Sequence, residues 1–173
     1  MKHKIFLPVV ISLIILGVFL SEKLQPQLEI STLVILSEGG TNPGESAADF
    51  ILEAVNGTDI KLSSFNGHKV VIVHFWSLDP GELTQLQTVR NFYGDKVEIL
   101  GVSERANVSY VRSVANSVNF PVLIDKTGEA GQAFGVSEFP TTYFVDTNGT
   151  ISDKKEGSLS EQELNEKVKN YLR

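Results

Sequence analysis

The residues best placed to do chemistry follow a strongly apolar run, Val70–Trp76, after which positions 77–82 read Ser-Leu-Asp-Pro-Gly-Glu. Thiol-disulfide exchange needs a thiolate nucleophile and a resolving partner. The chain contains no cysteine, so it has no group that forms a mixed disulfide. Asp79 beside Pro80 and Gly81 is ordinary chemistry for a turn that starts a helix. We therefore predict no catalytic residue in this segment.

A second candidate for chemistry is His74, which interrupts the apolar run directly before Phe75 and Trp76. A lone histidine in an apolar strand is more often a packed core residue than a metal ligand, and neither His3 nor His68 has a ligand spacing with it. Trp76 is likewise interpreted as an aromatic residue of the core and its rim. We predict no metal and no cofactor. The acidic residues near predicted strand ends are assigned to solvated loops: Glu104, Asp125, Glu129, Glu138 and Asp146.

The elements that position this segment are predicted from hydrophobic periodicity. Lys69–Phe75 is continuously apolar after its first residue except at His74, as expected of a strand covered on both faces. Glu82–Phe92 has apolar residues at steps of three and is predicted as an amphipathic helix. The strands Val97–Val102 and Val122–Ile124 then alternate with a helix over 108–118. This alternation predicts a mostly parallel sheet with helices on its faces.

The two ends of the folded region carry local signals of their own. Asp49–Glu53 and Thr58–Leu62 alternate as a short hairpin, and Asn56-Gly57 between them is the commonest signal for a two-residue hairpin turn. At the other end, Ser160 and Glu163 have the spacing of a capping box. We expect the last helix to begin there.

Four blocks of sequence, at positions 48–52 with 56–63, 65–76, 119–125 with 133–136, and 139–149, are specific when they are taken together. The second block ends in VVIVHFW, and the fourth reads FPTTYFVDTNG. Over residues 47–173 the blocks resemble the membrane-anchored thioredoxin-like proteins of the TlpA, ResA and cytochrome c maturation type, which are related to the redoxins.

The resemblance implies a thioredoxin-like α/β fold in which helices flank a central mixed sheet. It also implies an N-terminal hairpin, a helix–strand insertion between Gly94 and Asp125, and an N-terminal transmembrane helix. The family carries Trp-Cys-x-x-Cys after its central strand. Because positions 77–82 lack both cysteines, the resemblance implies the family's fold but not its redox chemistry.

Pro140 matches the cis-proline turn of that family, which faces the redox site and offers a backbone edge to extended substrates. If Pro140 is cis, neighbouring backbone groups are left free to pair with a peptide by strand addition. The alternative is that the turn only builds the fold. The predicted binding groove consists of Trp76, Ser77, Leu78, Asp79, Pro80, Phe139, Pro140 and Thr141.

An apolar run of 16 residues, Ile5–Leu20, follows Lys2, His3 and Lys4. As a helix it would extend about 24 Å, which is borderline between a signal peptide and a membrane anchor. We favour an anchor because no small-x-small cleavage pattern follows, and a cleaved secretion signal is the alternative. The N-terminal lysines predict a cytoplasmic N-terminus and a periplasmic or otherwise extracytoplasmic domain. The predicted anchor residues include Ile5, Phe6, Leu7, Val10, Ile14, Leu16, Phe19 and Leu20.

The length of 173 residues suits one compact core. We assign residues 1–23 to the anchor, 24–46 to a linker and 47–173 to the thioredoxin-like domain. The linker holds an apolar cluster within Leu28–Leu36, which could pair with the domain, lie on the membrane surface or dock to another subunit, and we favour packing against a protein surface. The net charge of −6 argues against nucleic-acid binding. The predicted partners are the membrane and another protein.

These observations favour a redox-inactive, exported domain that acts by protein binding, either as an accessory subunit of a membrane protein complex or as a client-holding factor. One alternative, implied by the resemblance, is a thiol-disulfide oxidoreductase or peroxiredoxin-type function in cytochrome c maturation or redox homeostasis, using a partner's cysteines. Another alternative is a purely structural subunit. Chemistry disfavours the first alternative, because nothing in this chain forms the mixed disulfide.

Overall fold

The computed structural model describes residues 39–76, 79–104 and 107–172. The predicted anchor, the first part of the predicted linker, and Ser77 and Leu78 of the predicted groove lie outside the described residues. Across those three ranges, no helix combines the length and the apolar character that a membrane crossing requires.

Strands and helices alternate along most of the described chain. The strands are β1 Ile51–Glu53, β2 Asp59–Lys61, β3 Val70–Trp76, β4 Val97–Glu104, β5 Val122–Asp125, β6 Thr141–Val145 and β7 Ile151–Glu156. The α-helices are α1 Pro80–Tyr93, α2 Val108–Ala115, α3 Glu129–Ala133 and α4 Glu161–Tyr171.

Five of these strands form one mixed sheet in the order β5-β4-β3-β6-β7. β3 runs parallel to β4, and β4 runs parallel to β5, whereas β6 is antiparallel to both β3 and β7. Every residue of the central strand β3 is buried, which explains its continuous apolar sequence. This sheet, with helices packed against it, confirms the predicted thioredoxin-like fold class.

The core has two layers because the side chains of each strand alternate between the two faces of the sheet. We call one face the α3 face, since it packs against Phe134 at the end of α3, and Phe75 of β3 points to it. The other is the α1 face, where Trp76 packs with buried leucines of α1 and α4 such as Leu83 and Leu164. Each fully buried large apolar side chain stabilises the fold by roughly 1.5–3 kcal/mol.

Most predicted elements occur within one or two residues of their expected bounds, but the turn of the first hairpin differs. β1 and β2 pair antiparallel as predicted, with Glu53 opposite Asp59. The loop between them is longer than the predicted two-residue turn. Gly57 N donates to Ala54 O at 2.8 Å, and Gly57 has a φ of 84° that favours glycine. Asn56 and Gly57 are therefore the last two residues of a four-residue turn.

Helix α3 was not predicted, since five residues are too few to display a helical period. It is positioned by Asp125, whose carboxylate accepts hydrogen bonds from Gly128 N and Gly131 N, both at 3.0 Å. Asp125 is fully buried. Its assignment to a solvated loop was therefore wrong, because backbone amides replace the water that a carboxylate normally needs.

The C-terminal part of the predicted linker belongs to the folded structure. Gly44 N donates to Ile151 O, and Ile151 N donates to Glu45 O, both at 2.8 Å. Ala47 N donates to Gly149 O at 2.9 Å. These bonds cover the start of β7, which would otherwise present an unpaired sheet edge.

Candidate functional site

The candidate site lies at the end of the sheet where β3 ends and β6 begins. Phe75 and Thr141 are register partners on these antiparallel strands, so the C-terminal end of β3 and the Pro140 turn lie at the same end of the sheet. Helix α1 starts at this end, and Asp79 Oδ1 caps it by accepting from Gly81 N at 2.8 Å. Asp79 was predicted to take this role.

The Pro140 turn forms one side of the site, and the Phe139–Pro140 peptide bond is cis. Thr141 Oγ1 donates to Glu138 O at 2.8 Å, and Gly157 N donates to Pro140 O at 2.8 Å. Phe139 differs from its neighbours. Its side chain is 39 % exposed, and neither its N–H nor its carbonyl has a hydrogen-bond partner within the described ranges.

The predicted groove residues separate into exposed and buried groups. Asp79 and Pro80 are exposed, and Pro140 is half-buried. Trp76 and Thr141 are fully buried, so their side chains support the surface from beneath and are not available to a ligand. The indole of Trp76 packs against the ring of Tyr110 at 6.4 Å between centroids.

His74 lies below this surface and is only 5 % exposed, which confirms that it is a packed core residue. Its Nδ1 is 2.9 Å from Thr142 Oγ1, and its Nε2 is 3.6 Å from Glu82 Oε2. The three side chains border a cavity of about 10 Å³. The part of the chain that the structure describes contains no cluster of three or more histidine, aspartate or glutamate side chains suited to a metal ion.

Sequence reasoning missed the partners of His74. Glu82 follows it in sequence, but only the turn between β3 and α1 determines whether the two side chains meet. Thr142 is remote in sequence and reaches His74 through the β3–β6 register. No periodic or spacing signal encodes either contact.

Three buried side-chain polar atoms in the described residues lack hydrogen-bond partners, and all three belong to β3 or β4. Trp76 and Ser103 are register partners on these strands. An unsatisfied buried polar group costs about 1–3 kcal/mol, so such a concentration is typical of a region that stability alone did not shape. The atoms are His74 Nε2, Trp76 Nε1 and Ser103 Oγ.

A cavity of about 700 Å³ occurs elsewhere, between the turn of the β1–β2 hairpin and the end of α2. Val55, Arg112 and Phe120 are among the residues that line it. None of the predicted groove residues that the structure describes contributes to it. The predicted groove and this cavity are therefore separate features of the surface.

Known proteins provide the family context for this geometry. The model of the AhpC/TSA family matches residues 43–154. The thioredoxin-like protein YneN of Bacillus subtilis (strain 168) is 31 % identical over 140 residues, covering 76 % of this chain and 81 % of that protein. The thiol-disulfide oxidoreductase ResA of Bacillus subtilis (strain 168) is 28 % identical over 144 residues, covering 79 % and 80 %. The crystal structure of a thiol:disulfide interchange protein of the thioredoxin family from Chlorobium tepidum TLS has a TM-score of 0.66 at 21 % identity, covering 79 % of this chain and 100 % of that chain, and confirms the fold.

Proposed function

This chain belongs to the AhpC/TSA family, and from that membership and its lack of cysteine we propose that it is redox-inactive and acts by binding other proteins. Thiol-disulfide exchange proceeds through a mixed disulfide that only a thiolate forms. With no cysteine in 173 residues, the chain supplies neither the attacking nor the resolving sulfur. Binding is the activity that the remaining surface supports.

The observation that carries this proposal is the free backbone of Phe139. An extended peptide gains main-chain hydrogen bonds by lying beside unpaired N–H and C=O groups, and its side chains gain affinity from neighbouring apolar surface. Phe139 offers both backbone groups and a partly exposed ring. The exposed start of α1 at Asp79 and Pro80 lies at the same end of the sheet, and in this proposal it provides the other side of the groove.

The partner is a protein segment in an extended conformation, presented by a membrane protein complex or by an exported client. An anchor at residues 1–23 would hold the domain at the membrane surface on the extracytoplasmic side, where the groove meets such segments. ResA carries the name of a thiol-disulfide oxidoreductase, which supports the alternative of a redox role through a partner's cysteines. The lack of any thiol in this chain weighs against that alternative.

A direct test uses the full-length protein in detergent micelles and a permanently unfolded probe, reduced and carboxymethylated α-lactalbumin, whose sulfurs are blocked. Fluorescence anisotropy of the labelled probe reports binding, and hydrogen exchange reports the Phe139 amide. We expect saturable binding that protects this amide. Insulin-disulfide reduction should stay at the level of a boiled control.

The chain offers a matched pair of exposed aromatic residues for this test. Phe139→Ala should weaken probe binding about tenfold. Phe92→Ala is the control, because Phe92 is 79 % exposed on the last turn of α1, away from the groove. Equal losses in both variants, or no protection of the Phe139 amide, would contradict the proposal.

A further inference from the structure

The carboxylate of Glu82 connects the two sides of the proposed groove. Glu82 lies in the first turn of α1, directly after the residues that form one side. Its Oε1 accepts a hydrogen bond from Ser158 Oγ at 3.3 Å. The neighbouring Gly157 donates its N–H to Pro140 O at 2.8 Å. A short chain of contacts therefore joins the start of α1 to the Pro140 turn.

The other oxygen of Glu82 faces an incomplete interaction. Glu82 Oε2 lies 3.6 Å from His74 Nε2, which is too long for a hydrogen bond. His74 Nε2 is buried and has no partner in the described part of the chain. The cavity of about 10 Å³ between these groups is at the lower limit of the size that holds a single water molecule.

We propose that His74 and Glu82 form a proton-binding site that regulates the groove, an inference that rests on the proposed function. Neutral His74 uses Nδ1 with Thr142 Oγ1 and leaves Nε2 without a partner. When solvent supplies a proton, both ring nitrogens become donors. Nε2–H then donates to Glu82 Oε2, and the two groups form a charge-assisted bond, which is shorter and stronger than a neutral one.

Among the described side chains that border the cavity beside His74, Glu82 is the one that carries a negative charge, and this charge favours a proton on His74. Across the sheet, Thr142 of β6 lies beside His74, and Lys155 of β7 lies beside Thr142. Lys155 is thus two strands from His74, about 10 Å away, and it also interacts with Glu163. On the β4 side the register partner is Gly101, which carries no charge. The other side chains around the cavity are Glu82, Gln85 and Leu86 of α1, Leu159, and Leu164 of α4.

The site should make peptide binding depend on pH. Protonated His74 fixes Glu82, and with it the first turn of α1, against the sheet. A preorganised groove loses less conformational entropy when a ligand binds. Histidine is the side chain whose charge changes most readily near neutral pH. We therefore expect the unfolded probe to bind about fivefold more tightly at pH 5 than at pH 8.

The test follows the full-length protein in detergent micelles from pH 8 to pH 5, using NMR of the histidine side chains and anisotropy of the carboxymethylated α-lactalbumin probe. His74→Asn and Glu82→Gln should each abolish the pH dependence of binding. His68→Asn is the matched control, because His68 is exposed before the start of β3, and it should retain the dependence. If His74→Asn does not fold, Glu82→Gln decides, since the Glu82 side chain is the more exposed of the two, at 14 % against 6 %.

Failure of this inference is distinguishable from failure of the proposed function. If the probe binds at no pH, the proposed function is wrong, and the amide resonances of Gly157 and Ser158 still report whether the His74 titration reaches the Pro140 side. Amides that do not respond to the His74 titration would overturn the inference. So would a pH dependence of binding that persists in either Glu82→Gln or His74→Asn.

Discussion

The two faces of the central sheet differ in whether their buried polar side chains have hydrogen-bond partners. On the α3 face, buried polar side chains have hydrogen-bond partners: Glu98 with Lys69, Asp125 with Gly128 and Gly131, Thr141 with Glu138, and Tyr143 with Phe134. On the α1 face lie all three buried side-chain polar atoms that lack a partner in the described residues, on His74, Trp76 and Ser103. Strand β4 contributes to both sets, with Glu98 on one face and Ser103 on the other.

This difference indicates which part of the molecule is shaped for stability and which for a site. A satisfied buried polar group fixes a unique arrangement, whereas an unsatisfied one costs free energy and persists where function or ancestry maintains it. His74 and Trp76 end the strand that leads into the candidate groove, and Ser103 is the register partner of Trp76. The buried polar atoms without partners in the described residues are therefore concentrated on the two strands next to the candidate groove.

The largest expected effect is on the α3 face, at Asp125. Asp125→Ala removes the acceptor of two backbone N–H groups at the start of α3, and both amides then lack a partner in a buried region. We expect a loss of about 3 kcal/mol in the free energy of unfolding, measured by urea denaturation of the full-length protein. Asp125→Asn keeps one acceptor oxygen and should lose less. A loss below about 1 kcal/mol for the alanine variant would show that the α3 face is not the stability-determining face.

A smaller effect concerns alkaline pH and the α1 face, where Tyr171 packs against Phe144. Burial, followed by the charge of Asp153 and the hydrogen bond to it, raises the pKa of Tyr171 to about 12. The unfolded chain releases this proton near the ordinary value of 10, so the folded state binds more protons between about pH 10 and pH 12. Stability from this group is therefore present below pH 10 and is lost as the pH rises through 12.

Tyr171→Phe removes this titration and should flatten the decline of stability over that window. The effect should be about 1 kcal/mol, because partial solvent exposure screens the interaction. Denaturant unfolding at pH 9, 10 and 11 measures it. Tyr143, whose pKa is also raised by burial, remains in the variant and serves as the internal reference. An unchanged slope would mean that the Tyr171 hydroxyl is not coupled to folding.

The amount that sequence alone could predict differs between the two faces as well. The continuous apolar run of β3 and the capping box of α4, which the structure contains in full, are local signals, so the sheet and the last helix were predictable. Burial of Asp125 was not predictable, because it depends on amides of the short helix α3 folding back over the end of β5. Local pattern identifies an element, and only packing determines whether a polar side chain in it is buried.

The candidate site shows the same limit. The cis Phe139–Pro140 bond was a stated possibility that the structure resolves, since the turn resembled that of a known family. The role of Glu82 was missed, because its contacts with His74 and Ser158 join β3, α1 and the loop after β7. Trp76 was placed in the groove from its position beside the turn, and its complete burial follows from the pleat of β3, which directs the indole under α2.

The smallest expected effect is the change in stability when a buried hydroxyl is removed from the α1 face. Ser103→Ala removes a fully buried hydroxyl that has no partner on the α1 face, so the variant should lose no stability and gain up to about 1 kcal/mol. Thr141→Val is the matched control on the α3 face, since it removes a hydroxyl that donates to Glu138 O, and it should lose about 1 kcal/mol. Urea denaturation of both variants measures the difference. If Ser103→Ala were the more damaging change, a bound water or ligand would have to satisfy Ser103, and the α1 face would then be as well ordered as the α3 face.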